Sequence, residues 1–275
     1  NIARLFIDPI NKPPYYYSFV VGGSYAVYAM LENPKNIASK NDQDNYPHLY
    51  STGTNKRLID QAQGLVGYWP FDETGVFAND YSGFGYTGTM YSSSTRYDLH
   101  SYNNCKVGQG CASFDGIDDK IQTEPILPHY PQFSVLIWFK WRYNGLQATF
   151  FITKGRNFYI YNGWTWGSGY VVGESQFSSP CCYYGVADRR NFMDNTWHHA
   201  VYTYDGQTMR LYLDGSLSDS YSFGAPNPVY GGNQIYMGVY PSGTGYWLNG
   251  SLDDVRIYNR ALSDAEIKAL YEATK

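Results

Sequence analysis

From residue 64 onward, apolar and polar positions alternate in short runs separated by Asp-Gly, Asn-Gly and Gly-Gly turns: "LVGYWPF", "ASFDG", "KIQTEP", "FSVLIWFKW", "TFFITKG", "FYIYNG", "YVVGE", "WHHAVYTY", "MRLYLDG" and "QIYMGVY". Successive strand residues face opposite ways, so a half-buried strand is written with a period of two. Many short strands between turn signals predict a sandwich or barrel. The texture changes at the end, where "GSLDDVRIYNRALSDAEIKALYEA", residues 250–273, runs from a strand into a helix. Ser263 as N-cap with Glu266 three residues on forms a capping box, and Ile267, Leu270 and Tyr271 make one apolar stripe. Strict alternation in the strand puts Leu252, Asp254, Arg256 and Tyr258 on one face and Asp253, Val255 and Ile257 on the other. Asp253 then shares the apolar face, where a carboxylate needs an ionic partner, hydrogen bonds or a metal.

The first 63 residues read differently. Residues 15–21 and 24–31 are Tyr-rich runs flanking Gly22-Gly23, which predicts a β-hairpin within residues 1–32. Residues 33–63 are polar and nearly without periodicity, a connector to a strand-rich domain over 64–275. Thirty Tyr, 7 Trp and 28 Gly with 16% charged residues suit turn-rich sheet and surfaces that meet other molecules through aromatic rings. A net charge of −4 without a basic stripe gives a nucleic-acid partner no electrostatic support. No run of 18 apolar residues occurs, so no membrane-spanning helix is expected in this chain, and its start at Asn1 reads as a mature form or a fragment. Cys105 and Cys111 are six apart, and a disulfide between them would close a short loop worth roughly 2 kcal/mol, favouring an oxidising, extracellular setting. The adjacent Cys181 and Cys182 fit a strained ring, two free thiols or bonds elsewhere.

Six motifs, "GLVGYWPFDETG", "DYSGFGYTGT", "GCASFDGIDDKI", "FSVLIWFK", "WHHAVYTYDGQTMRLYLDG" and "GSLDDVRIYNRALSDAEI", occur in the order and spacing of laminin-G-like, concanavalin A-like jelly-roll modules. The resemblance covers about residues 64–273. It implies an all-β fold of two facing antiparallel sheets with a short C-terminal helix lying across one end as a lid. It also implies a structural calcium where the glycine-rich turn after Asp80 meets the closing strand, with the carboxylates of Asp80 and Asp253 and the carbonyls of Gly85 and Thr87 as ligands. Read from the residues alone, Asp80 makes an Asx-turn and Asp253 caps buried amides. Separately, "DPINKPPYYYSFVVGGSYAVYAMLEN" resembles the C-terminal hairpin of type IV pilin and pseudopilin heads, a family whose apolar N-terminal helix is not in this chain.

Candidate chemistry points to binding rather than turnover. The Glu-x-Asp-x-x-Glu arrangement of sandwich-fold glucanases and the Gly-x-Ser-x-Gly elbow do not occur, and His198 and His199 fall on opposite faces of one strand. Aromatic residues concentrate in "NFYIYNGWTWGSGYVV" and "SSPCCYYG". Tyr159, Tyr161, Trp164, Trp166, Tyr183 and Tyr184 are therefore the expected ligand-binding residues, with "YPSGTGYW" as a second rim loop. The expected function is a non-catalytic extracellular adhesion module on a cell surface or pilus-like filament, recognising glycan or cell-surface protein, with other pilin subunits as further partners. The alternatives are a structural filament subunit and a divergent carbohydrate-active enzyme.

Overall fold

The computed structural model describes residues 64–275 except 94, 126–129, 144, 146–147, 164–168, 179–180, 223–228 and 230, and before them the backbone of three strands. These are β1 (Tyr17–Phe19), β2 (Ala26–Met30) and β3 (Leu49–Gly53), paired antiparallel in that order, with Tyr17 opposite Ala29 and Met30 opposite Leu49. The expected turn at Gly22-Gly23 lies outside the described residues. β3 corrects the reading of residues 33–63 as a plain connector. "LYSTG" contains the strand formers Tyr and Thr, but five residues are too few to stand out as a period. The chain divides into two compact units, 1–64 and 65–275.

The second unit is a sandwich of two antiparallel sheets. The first runs β18 (Ser216–Ser222), β17 (Thr208–Leu213), β16 (His198–Tyr204), β11 (Phe133–Trp141), β20 (Asn249–Tyr258), β9 (Cys111–Asp115) and β8 (His100–Ser101), with β4 (Leu65–Trp69) also on β20. The second runs β15 (Cys181–Asp188), β14 (Val171–Ser178), β13 (Phe158–Gly163), β12 (Ala148–Lys154), β19 (Ile235–Met237), β10 (Asp119–Thr123), β6 (Gly88–Ser92) and β5 (Phe77–Ala78), with β7 (Thr95–Arg96) on β6. Alternation fills the space between them. Phe133, Val135, Ile137 and Phe139 of β11 face Phe151, Ile152, Phe158 and Ile160 of the second sheet, all essentially out of solvent, and the rings of Phe139 and Phe151 stack at 4.7 Å. Gly173 lets β14 close on this core, because a Cβ there would meet the Tyr202 ring at 2.5 Å.

The only helix among the described residues, α1 (Asp264–Thr274), begins at the expected capping box: Ser263 accepts from the Glu266 amide, and Glu266 accepts from the Ser263 amide at 2.8 Å. It covers the outer face of the first sheet rather than one end of the sandwich. Ile267 and Leu270 bury against Leu136, Val201, Tyr212 and Tyr258, while Trp138 stacks on Tyr271 and donates to Thr274 Oγ1 at 2.9 Å. Cys105 and Cys111 form the expected disulfide, with Cα atoms 5.4 Å apart. The bridge holds a loop over this same face, where Lys106 lies 4.4 Å above the Trp138 ring and Trp197 Nε1 donates to the Asn104 carbonyl. Cys181 and Cys182 lie in the backbone of β15, paired with Ser178 and Phe177.

The face assignment of Asp253 needs correction. The ladder pairs Leu136 with Arg256 but Trp138 with Asp253, so β20 carries one extra residue, and Asp254 takes a positive φ of 48°. This bulge reverses the alternation. Leu252, Val255 and Ile257 point into the core, whereas Asp253 faces outward beside Trp138 under the disulfide loop.

Candidate functional site

The outer face of the second sheet is built by strands whose inner residues are core. With Phe158 and Ile160 inward, Tyr159 and Tyr161 of β13 must face out; with Val171, Ser175 and Phe177 inward, Val172 and Glu174 of β14 face out. Register then aligns Phe150, Tyr161, Val172 and Ala187 in one row across four strands, and Tyr159 beside Glu174 in the next. Residues 238–248 fold back over this face. Leu248 N–H donates to the Gly238 carbonyl at 2.9 Å and Phe150 N–H to the Tyr246 carbonyl at 3.2 Å, which brings the Tyr240 and Tyr246 rings 5.1 and 6.1 Å from Phe150. Phe150 also stacks on Tyr161 at 4.9 Å.

Polar atoms fringe these rings. The Tyr161 hydroxyl donates to Glu174 Oε2 at 2.9 Å. Burial, and then the neighbouring Tyr183 phenol, pushes the Tyr159 phenol well above its usual range, and burial raises that of Tyr240, so both hydroxyls keep their protons at neutral pH. Tyr183, 6.1 Å from Tyr159, is 49% exposed. Ring faces, O–H donors and one carboxylate acceptor suit a ligand with C–H faces and hydroxyl edges. Among the described residues of this face the carboxylate is Glu174.

The expected ligand residues divide. Tyr159 and Tyr161 are 5% and 3% exposed and form the floor of the cluster rather than free stacking platforms, because the 238–248 loop covers them. Tyr183 is the accessible ring. Tyr184, its neighbour, faces the other way by strand alternation, packing 6.0 Å from Phe177 and stacking on Tyr221 at 5.9 Å. Trp164 and Trp166 lie outside the described residues. The second rim loop and the β13 and β15 aromatics, read as separate candidates, form one cluster. Phe150 and Glu174 escaped the sequence reading, although the alternation of "YVVGESQF" sets Glu174 on the same face as Val172.

The residues expected to hold calcium do not fit it. Both Asp80 oxygens are saturated by donors: the amides of Tyr68, Ser82 and Tyr86 at 2.9 Å each and the Ser82 hydroxyl at 2.8 Å. The Thr87 carbonyl accepts from the Glu124 amide. Asp253 Oδ2 accepts from the Lys106 and Val107 amides at 2.8 Å, and burial pushes its carboxyl up to about 8, so it is held as a neutral acid at pH 7. Asp80 caps Tyr68, which pairs with Arg256, three residues and about 10 Å along β20 from Asp253. Asp115, Asp118 and Asp119 bring oxygens within 4.8 Å of one another, but these accept from backbone amides and from Ser92. The His199 ring lies tilted 5.0 Å from that of Trp138, and burial brings its pKa down to about 4, while His198 bridges Asp194 and Asp214.

Comparison with known proteins places this arrangement. Domain 4 of AbnA, a GH43 extracellular arabinanase from Geobacillus stearothermophilus solved with arabinotriose, superposes with a TM-score of 0.60 at 22% identity, over 77% of this chain and 98% of that one. The receptor-binding domain of the botulinum neurotoxin C/D mosaic (0.59, 16%) and the binding domain of Paraclostridial Mosquitocidal Protein 1 (0.58, 15%) each align over 77% of this chain. The chain spans about half the length of these two toxin domains, 51% and 52%. At such identities the likeness is one of fold. No curated protein matches the sequence. A laminin G profile described as the concanavalin A-like lectin/glucanases superfamily matches residues 115–268, and with both sheets of that jelly roll in place the chain belongs to this superfamily.

Proposed function

We propose that the chain is a non-catalytic extracellular binding module that takes glycan on the outer face of its second sheet. The observation that carries this reading is the cluster of Tyr159, Tyr161, Tyr183, Tyr240, Tyr246 and Phe150 around Glu174, with Tyr183 exposed beside protonated phenols. The AbnA domain solved with arabinotriose makes short furanose or pyranose oligosaccharides a reasonable first panel. The Cys105–Cys111 disulfide supports an extracellular location. Display on a cell surface or a pilus-like filament belongs to this reading too, and purified filaments or surface fractions probed for the chain test it.

The test of binding is a glycan array followed by calorimetric titration of the hits against wild type and Tyr183→Ala. Saturable binding that weakens in the variant supports the reading; reducing ends released during incubation would replace it with an enzymatic one. Binding to a cell-surface protein but to no glycan would transfer the face to a protein partner.

A further inference from the structure

A second polar cluster lies between the turn after β4 and the strand β8, away from the aromatic face. His100 Nδ1 is 2.7 Å from Asp98 Oδ1 and 3.1 Å from the Gly75 carbonyl. Both are acceptors, so Nδ1 carries a hydrogen and donates. That leaves Nε2 as the ring's other valence. The imidazole is fully buried, with its side chain 0% exposed, and Nε2 makes no hydrogen bond; it faces Glu73, whose side chain is 7% exposed, at 3.9 Å from Oε1. Glu73 Oε1 accepts from the Asn79 amide, but Oε2 is buried without a partner. His100 Nε2 and Glu73 Oε2 are thus buried polar atoms without a hydrogen bond on facing groups, a costly arrangement unless a proton or a metal ion lies between them.

The geometry points to a zinc-class divalent metal ion held between His100 Nε2 and Glu73, with Asp98 as the residue that positions the imidazole. A carboxylate on Nδ1 fixes the tautomer that presents Nε2 to a metal and raises its basicity, the arrangement common behind metal-bound histidine. Two ligands about 2.0–2.2 Å from a tetrahedral ion stand roughly 3.3–3.5 Å apart, so 3.9 Å closes with a few tenths of an ångström of movement. The mixed nitrogen and oxygen pair favours zinc over calcium, which prefers oxygen throughout. Water would take the remaining positions of the shell. Asp72, the other carboxylate near Glu73, is engaged by the Gln109 and Gly110 amides and stays out of the shell.

The test is calorimetric titration of zinc chloride into the full chain after chelator treatment and dialysis. One ion per chain is expected in wild type, with affinity at least tenfold weaker in His100→Gln and in Glu73→Gln, tenfold to a hundredfold weaker in Asp98→Asn, and unchanged in His198→Gln. Nitrogen-15 spectra of the wild type provide a readout that does not depend on variants folding: the His100 Nε2 resonance should move on zinc addition while Nδ1 stays protonated. No uptake at millimolar zinc, uptake unaffected by His100→Gln, or a His100 Nε2 signal that zinc leaves in place would overturn the assignment.

Discussion

The first sheet carries on its outer face a capped helix, a disulfide-tied loop, a neutral buried acid and a stacked Trp138. On the second, four strands, β12 to β15, are covered by a loop that leaves Tyr183 half exposed and ringed by hydroxyls. The first is covered by its own chain: the helix stripe meets an apolar patch and the loop amides meet Asp253 Oδ2, while Asp253 Oδ1 and His199 Nδ1 stay buried without a partner. The second is roofed by the Tyr240 and Tyr246 rings packed on Phe150, with the Tyr161 hydroxyl donating to Glu174 beneath them. A face covered by its own helix and loop holds the fold, and a face that ends in an accessible aromatic ring is where a ligand gains contacts.

Four variants bear on that contrast. Ile267→Ala empties the centre of the covered face, where Ile267 is 0% exposed; urea denaturation should show a loss of about 2–5 kcal/mol with glycan affinity unchanged. Removing the disulfide with Cys105→Ser and Cys111→Ser should cost about 2 kcal/mol by freeing the short loop in the unfolded chain, read in the same assay. Asp253 gives a pH dependence of defined sign. Its folded carboxyl, raised to about 8 by burial, keeps a proton that the unfolded chain releases near pH 4. The stability it contributes is therefore full below about pH 4 and is lost as pH rises toward 8, by up to about 1.4 kcal/mol per pH unit. Asp253→Asn, which keeps an acceptor for the Lys106 and Val107 amides, should flatten that decline between pH 5 and 8. Tyr183→Ala is the smallest in stability: within about 0.5 kcal/mol of wild type, as expected of a half-exposed side chain.

Local patterns in the sequence were the legible ones. Ser263 and Glu266 cap the helix as written, the apolar runs are the strands, and the Cys105–Cys111 spacing is the disulfide. Asp253 was misassigned because an alternation read from sequence assumes an unbroken period, and the bulge at Asp254 inserts one residue. Asp tolerates the left-handed backbone, so an Asp-Asp pair inside a strand is the available hint. Tyr183 and Tyr184 were grouped by composition although adjacent strand residues cannot share a face. The meeting of the 238–248 loop with β12 and β13 joins residues some ninety positions apart, and the Glu73–His100 approach spans two segments of the chain; such contacts exist only once the sheets are assembled.

The measurement that bears most directly on the central claim is an amide chemical-shift titration of the wild-type chain with the best-binding oligosaccharide, repeated on Tyr183→Ala. Saturable shifts confined to β13 to β15 and to residues 238–248 are expected, with affinity in the variant lower by about twofold to tenfold, as the loss of one aromatic contact implies. Shifts centred on α1 or the 105–111 loop, or equal affinity in the variant, would contradict that claim.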